Sequence, residues 1–167
     1  MSTEWSLDEI YKGFDDDAYE ADFKALEEEL VSFGKAVKAA DRELKDKVEE
    51  LLSFEENITL LAGKLSLYIG LRESVNTDDG SIMAQSNRFS KVFSSGSAAF
   101  SGASKLYASI PDVDAFAKES GLIAKYTYKL KSAKENAKHL LSDEVEEIIS
   151  QLDMTGGHLR LTTKAGR

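Results

Sequence analysis

The stretch from Ser53 to Val75, reading SFEENITLLAGKLSLYIGLRESV, constrains the fold of this chain more than any other. Its large apolar residues, Phe54, Ile58, Leu61, Leu65, Tyr68 and Leu71, recur in alternating steps of three and four, the period of an amphipathic helix. Leu60, Leu67 and Ile69 widen the apolar face beyond one seam. A helix with so broad a face is expected to be covered by neighbours on more than one side. Ser53 and Glu56 have the spacing of a capping box, which places the helix start at Ser53. At ~1.5 Å per residue such a helix runs roughly 33 Å, about the width of a small domain. It reads as a central strut around which the other elements pack, and it holds no active-site pattern of its own.

Before the strut, Trp5 to Tyr11 carries Ser6 and Glu9 in S-x-x-E spacing, which predicts a short capped helix with Trp5 and Tyr11 as anchors. A turn over Lys12–Asp17 follows, with Asp17 as the expected cap of a helix over about 18–39. There Phe23, Leu26, Leu30, Phe33 and Val37 make a seam suited to an antiparallel neighbour. Glu27, Glu28 and Glu29 read as solvated surface, because consecutive helical residues point about 100° apart and cannot converge on one ion. The pattern restarts at Leu44, Val48, Leu51 and Leu52, and the strut either continues this helix or kinks at Ser53. Val75 to Gly80 is the clearest loop.

From Ser81 to Ile110 the apolar residues again keep helical phase, but Ser94–Ser104 is crowded with serine, alanine and glycine. It is a flexible linker or a helix with a small face that lets a neighbouring backbone approach. The in-phase flanks favour the helix, with Gly96 and Gly102 each weakening it by ~1 kcal/mol. A phosphate loop is excluded: the glycine spacing is one step too long, and the Gly-Lys-Ser/Thr ending is missing. Pro111 and Asp112 start a short helix that Gly121 is expected to end. Beyond it lie Lys125, Lys129, Lys131, Lys134 and Lys138, read as a solvated face or one paired with the acidic first helix. Tyr126, Leu130, Ala133 and Ala137 form the expected inward side. His139–Asp153 is the last predicted helix, capped at Ser142, with Val145, Ile148, Ile149 and Leu152 on its apolar side. Met154–Gly157 breaks it, and the tail from His158 is short and basic.

The fold class is therefore all-α, an antiparallel bundle of about six or seven helices with its long central helix near 53–75. Residues 1–157 read as one helical domain, and 158–167 as a disordered or truncated tail. Its 167 residues suffice for a proper core. With no cysteine, disulfide and thiolate chemistry are excluded, and a cytoplasmic location is expected. No signal peptide or membrane-spanning run is visible, and the sequon at Asn57–Thr59 falls inside a predicted helix. The net charge of −9 is uneven: residues 1–60 carry 18 acids against 7 bases, whereas 61–167 carry 12 against 14. So acidic a first third argues against a general nucleic-acid binder.

No catalytic pattern appears. A zinc peptidase helix shows His-Glu-x-x-His, with both histidines on one face and the glutamate as base. Here the two histidines are His139 and His158, without that spacing. No nucleophile elbow is evident, and a carboxylate pair chosen among 30 acids would be arbitrary. No catalytic, cofactor-binding or metal-ligating residue is assigned.

Trp5–Tyr11, the long acidic helix, Leu67-Tyr-Ile-Gly-Leu-Arg72 and Asn76-Thr-Asp78, followed in order by His139-Leu-Leu-Ser142, Glu146-Glu147 and Thr155-Gly-Gly157, resemble the start of oligoendopeptidase F-type peptidases. These belong to the thimet oligopeptidase-like superfamily. The likeness covers nearly the whole chain to Gly157. The resemblance implies an all-helical zinc metallopeptidase that cuts oligopeptides in a deep channel, with zinc and the catalytic glutamate on a His-Glu-x-x-His helix far downstream. This chain would then be the N-terminal lobe, walling the channel, without zinc or catalysis of its own. Its implied partners are the missing catalytic domain and, in the full-length protein, short peptide substrates, with no nucleic acid or membrane. Tyr68 and Arg72 lie in the similar stretch and read as a buried strut residue and a surface arginine rather than as substrate contacts.

After Thr155-Gly-Gly157 the family continues through an aromatic-bearing segment, whereas this sequence reads HLRLTTKAGR and stops. That departure points to a truncated product, a truncated gene or an altered reading frame. A severed lobe is expected to self-associate through exposed apolar surface. The alternative is a free-standing helical interaction domain, dimeric through the Phe23–Val37 seam.

Overall fold

The computed structural model describes residues 6–75 and 80–137. Among them there is no strand; helices α1 (Asp17–Lys38), α2 (Leu44–Val75), α3 (Gly80–Ser94), α4 (Ser97–Ala108), α5 (Val113–Phe116), α6 (Gly121–Lys125) and α7 (Thr127–Ala137) form an all-α bundle. A single 3-10 turn, Ala117–Glu119, links α5 to α6.

α1 begins one residue earlier than its sequence pattern suggests. The cap is Asp16, not Asp17: its side chain accepts from the Ala18 amide at 3.0 Å and from the Lys12 amide at 2.8 Å. Asp17 and Glu20 then sit in the first turn and Lys35 and Lys38 in the last, both favourable to the helix dipole. The seam residues Phe23, Leu26, Leu30 and Phe33 are buried against α2, which runs antiparallel to α1. A dimer through the Phe23–Val37 seam is therefore incompatible with the fold, because the chain's own α2 occupies it.

α2 is the strut, but it is longer than 53–75. It runs unbroken through Ser53, whose hydroxyl donates to the Glu49 carbonyl at 3.0 Å instead of capping anything. Glu56 is correspondingly free to face α6. Burial is also more one-sided than expected: Ile58, Leu65, Tyr68 and Ile69 are buried, while Leu60 is 72% and Leu67 56% exposed.

The N-terminal arm forms a turn, not a capped helix: the Ile10 and Tyr11 amides both donate to the Leu7 carbonyl, and Ser6 Oγ accepts from the Asp8 amide. Tyr11 anchors it, fully buried, with its hydroxyl 2.6 Å from Asp22 Oδ2. Around it Phe14, Tyr19 and Tyr68 pack edge-on or tilted, with centroids 5.0–5.8 Å apart. Trp5 lies outside the described residues.

The small-residue stretch divides into two helices at Ser95–Gly96 and still lets a neighbour approach closely. A Cβ on Gly96 would sit 2.6 Å from Leu30 Cδ2, and one on Gly102 2.7 Å from Val37 Cγ1. α4 thus lies against α1 as closely as glycine permits, and Phe33 and Phe100 fill the contact at 5.0 Å.

Downstream, Asp112 caps α5 by accepting from the Ala115 amide. Gly121 does not end a helix. It opens α6, capped by Ser120. The expected helix over 122–138 is broken at Tyr126 (φ −103, ψ 15), so Ile123, Leu130 and Ala133 are buried and Ala137 is exposed. The helix read over His139–Asp153, its Ser142 cap and the tail lie outside the described residues.

Candidate functional site

The break at Tyr126 turns α6 and α7 toward the first half of α2, and the charged side chains meet there. Thr127 Oγ1 donates to the Ala124 carbonyl at 2.8 Å, holding the turn. Glu55, 7% exposed, accepts at Oε2 from Lys129 Nζ at 2.5 Å and from the Tyr107 hydroxyl at 3.2 Å. Glu56 accepts at Oε1 from Lys125 Nζ and from the Tyr126 hydroxyl, both at 2.6 Å. A groove of about 360 Å³ opens beside these pairs, with exposed Leu60 on its wall.

Four of these groups, Tyr107, Glu56, Lys125 and Tyr126, are shifted away from neutrality. Burial, reinforced by the Glu55 carboxylate, pushes the Tyr107 phenol well above its ordinary range. Hydrogen bonds from Lys125 and Tyr126 hold the Glu56 carboxyl below the usual carboxylate range, and the same bonds hold the Lys125 ammonium and the Tyr126 phenol up. A carboxylate whose oxygen is taken by two donors is a poor base. The groove offers instead an apolar patch between fixed charges of both signs, which suits binding to an extended chain with mixed side chains.

Two other features share the surface. The end of α1 and the start of α4 enclose a shallow groove of about 340 Å³ over Gly34 and Ala99, with Lys35 and Lys38 on its rim. At the opposite end of α1, the Arg88 guanidinium lies 4.1 Å from the Phe23 ring centroid and forms a two-bond fork to Glu20, at 2.6 and 2.8 Å.

Tyr68 is fully buried, with a hydroxyl that has no hydrogen-bond partner, and Arg72 lies over the Phe14 and Tyr68 rings at 5.4 and 6.0 Å. The lysine-rich face does not pair with α1. Lys125 and Lys129 pair with α2, Lys131 with Asp114, and Lys134 donates to the Ile110 and Pro111 carbonyls. Lys138, His139 and His158 lie outside the described residues. Nor is Glu29 wholly solvated: its Oε1 is 3.5 Å from Asn57 Nδ2 and its Oε2 is buried without a partner. Sequence reasoning missed Glu55 and assigned Glu56 to a cap. The available signal was two adjacent acids matched by lysines four residues apart, Lys125 and Lys129.

Among the described residues no group of three or more His, Cys, Asp or Glu side chains could hold a metal ion, and no helix is long and apolar enough to cross a membrane.

Residues 109–162 match the family described as Oligopeptidase F. The matched region contains α5, α6 and α7, together with the motifs His139–Ser142, Glu146-Glu147 and Thr155–Gly157, and it bears out the likeness to the N-terminal lobe of an oligoendopeptidase F-type peptidase. Trp5–Tyr11 and Leu67–Arg72 precede it. No curated protein and no solved structure matches the chain.

Proposed function

We propose that residues 1–157 form the N-terminal helical lobe of a zinc-dependent oligopeptide endopeptidase and contribute no catalytic side chain. The lobe walls the substrate channel, and the zinc and its catalytic glutamate belong to a separate catalytic domain. The observation that carries this reading is the Oligopeptidase F match over 109–162. The geometry agrees with it: the matched helices α6 and α7 build one side of the groove at Glu55, Glu56 and Leu60, where fixed charges and an apolar side chain suit peptide binding and not bond cleavage. Short peptides are the substrates and the catalytic domain is the partner. A cytoplasmic location is part of the same proposal, and the cysteine-free composition is in keeping with it.

The test is to read the coding sequence past the Arg167 codon and assay the product it encodes. An in-frame His-Glu-x-x-His, with peptide hydrolysis abolished by a chelator and restored by zinc, is the expected outcome. A stop codon with no such motif downstream would overturn the assignment.

A further inference from the structure

Gly96 and Gly102 are explained by close packing, since Leu30 and Val37 occupy the space a Cβ would need. Gly34, inside α1, is not: the nearest atom to a Cβ there is the Ala99 Cβ, at 3.9 Å, an ordinary contact. Glycine at that position costs the helix ~1 kcal/mol against alanine. What it leaves is a notch in the groove between α1 and α4, beside Val31, which is 56% exposed. Steps of three and four place Lys24, Glu27, Val31, Gly34 and Lys38 along one stripe of α1. The stripe lies on the open side of the helix, away from the Phe23–Phe33 seam that α2 covers.

We propose that this stripe is the contact between two copies of the chain, packed antiparallel about a twofold axis that passes between Val31 and Gly34. The stripe is complementary to its own reverse, which is what such a contact demands. Val31 of one copy enters the notch at Gly34 of the other, and the reverse pair forms across the axis. One turn further out, Glu27 comes opposite Lys38. Both are exposed, and neither makes a hydrogen bond or an ion pair with any described residue. Beyond them Lys24 falls opposite the turn that follows Lys38, where exposed Asp41 stands. Charge also fixes the register: centring the axis on Val31 would set Lys24 against Lys38. Lys35, exposed on the groove rim and equally unpaired, adds to the positive end. The antiparallel arrangement sets the acidic first half of each α1 beside the basic last turn of the other, so the two helix dipoles attract. The inference does not rest on the peptidase reading, which concerns what the lobe walls and not how copies meet.

The 167-residue chain itself is the material for the test. Sedimentation velocity over a concentration series from about 1 to 500 µM should show a monomer–dimer equilibrium. Glu27→Lys and Lys38→Glu each set like charges against one another twice per dimer, so each alone should weaken association at least about tenfold. An equimolar mixture of the two variants restores both opposite-charge pairs and should form a heterodimer of parental affinity. The double variant Glu27→Lys/Lys38→Glu should dimerise again by itself. Val31→Asp should be monomeric with an unchanged helical circular-dichroism spectrum. A chain that stays monomeric throughout the series would overturn the proposal and leave the groove to a different partner. A dimer that both charge variants leave intact, or single variants that mixing does not rescue, would overturn it as well.

Discussion

Glu55 and Lys129, 74 positions apart in the chain, meet at 2.5 Å, and the carboxylate of this pair is among the few charged groups the fold buries. The pair fastens α7 to α2, and Tyr107 from α4 donates to the same oxygen. Three helices thus depend on one acceptor.

Glu55→Ala should therefore cost about 2 kcal/mol, since it strands the Tyr107 hydroxyl as well as the lysine. Lys129→Ala costs less, because its ammonium is 43% exposed and solvent replaces part of what it loses. Urea denaturation of both single variants and the double variant checks this. The double should be less destabilised than the sum of the singles, and strict additivity would show that the contact carries no coupling.

Tyr11→Phe and Tyr68→Phe remove the same atom from one aromatic cluster with opposite results. The Tyr11 hydroxyl donates to Asp22, so its loss lowers stability by about 1 kcal/mol. The Tyr68 hydroxyl is buried with no partner, so its removal is neutral or stabilising by up to about 1 kcal/mol. Thermal melts of the two variants decide the matter.

Gly96→Ala and Gly102→Ala should both destabilise, by roughly 1–3 kcal/mol, the second despite the better helix propensity of alanine inside α4. The new methyl group would overlap Leu30 in the first and Val37 in the second. The β-branched Val37 has less room to turn aside than Leu30, so Gly102→Ala is the costlier. Equilibrium unfolding that ranks the two in the reverse order would contradict this packing.

Stability should fall at both ends of the pH range, for different groups. Bonds from Arg88 hold the Glu20 carboxyl below its ordinary range. For Asp22, burial pushes the carboxyl up but bonds from Lys64 and Tyr11 outweigh it, leaving a net lowering. For such groups the stabilisation is fully present above the unfolded carboxylate range of about 4 and is lost as pH drops through the folded values. Tyr11, Tyr19 and Tyr107 are raised, chiefly by burial. Their contribution is complete below about pH 10 and disappears as pH climbs toward the folded values. Melting temperatures from pH 2 to 12 should show a plateau between these limits, and phenolate absorbance should appear largely together with unfolding.

What the sequence revealed depended on how local each cause was. The α1 seam and the apolar phase of α2 were legible because helical periodicity is written in neighbouring residues. The start of α2 was misread because Ser53 and Glu56 satisfy a cap pattern, yet Val48, Leu51 and Leu52 already bury the preceding turn against the core and carry the helix through. Tertiary packing overrode a local signal. Gly121 was misread for a related reason: Ser120, beside it, is a better helix starter than glycine is a stop. The lysine face was visible as a face, but its partners were not: the four-residue step from Lys125 to Lys129 shows that the two share a face, while which acids meet them depends on how α6 and α7 fold back onto α2. Nor could periodicity tell which side of α2 stays open at Leu60 and Leu67, because exposure depends on where α3 and α6 fall.

α2 holds its 32 residues without a break, while the described stretches after it are interrupted, at Ser95–Gly96 and again at Tyr126. It therefore acts as a ruler. The aromatic cluster around Tyr68 and the charged groove at Glu55 are graduations on one rigid rod, ~20 Å apart, and their separation is fixed by helix geometry alone. Any change in the shape of the groove has to come from the jointed side, where α6 and α7 can pivot about Tyr126 while the rod they close against keeps its length.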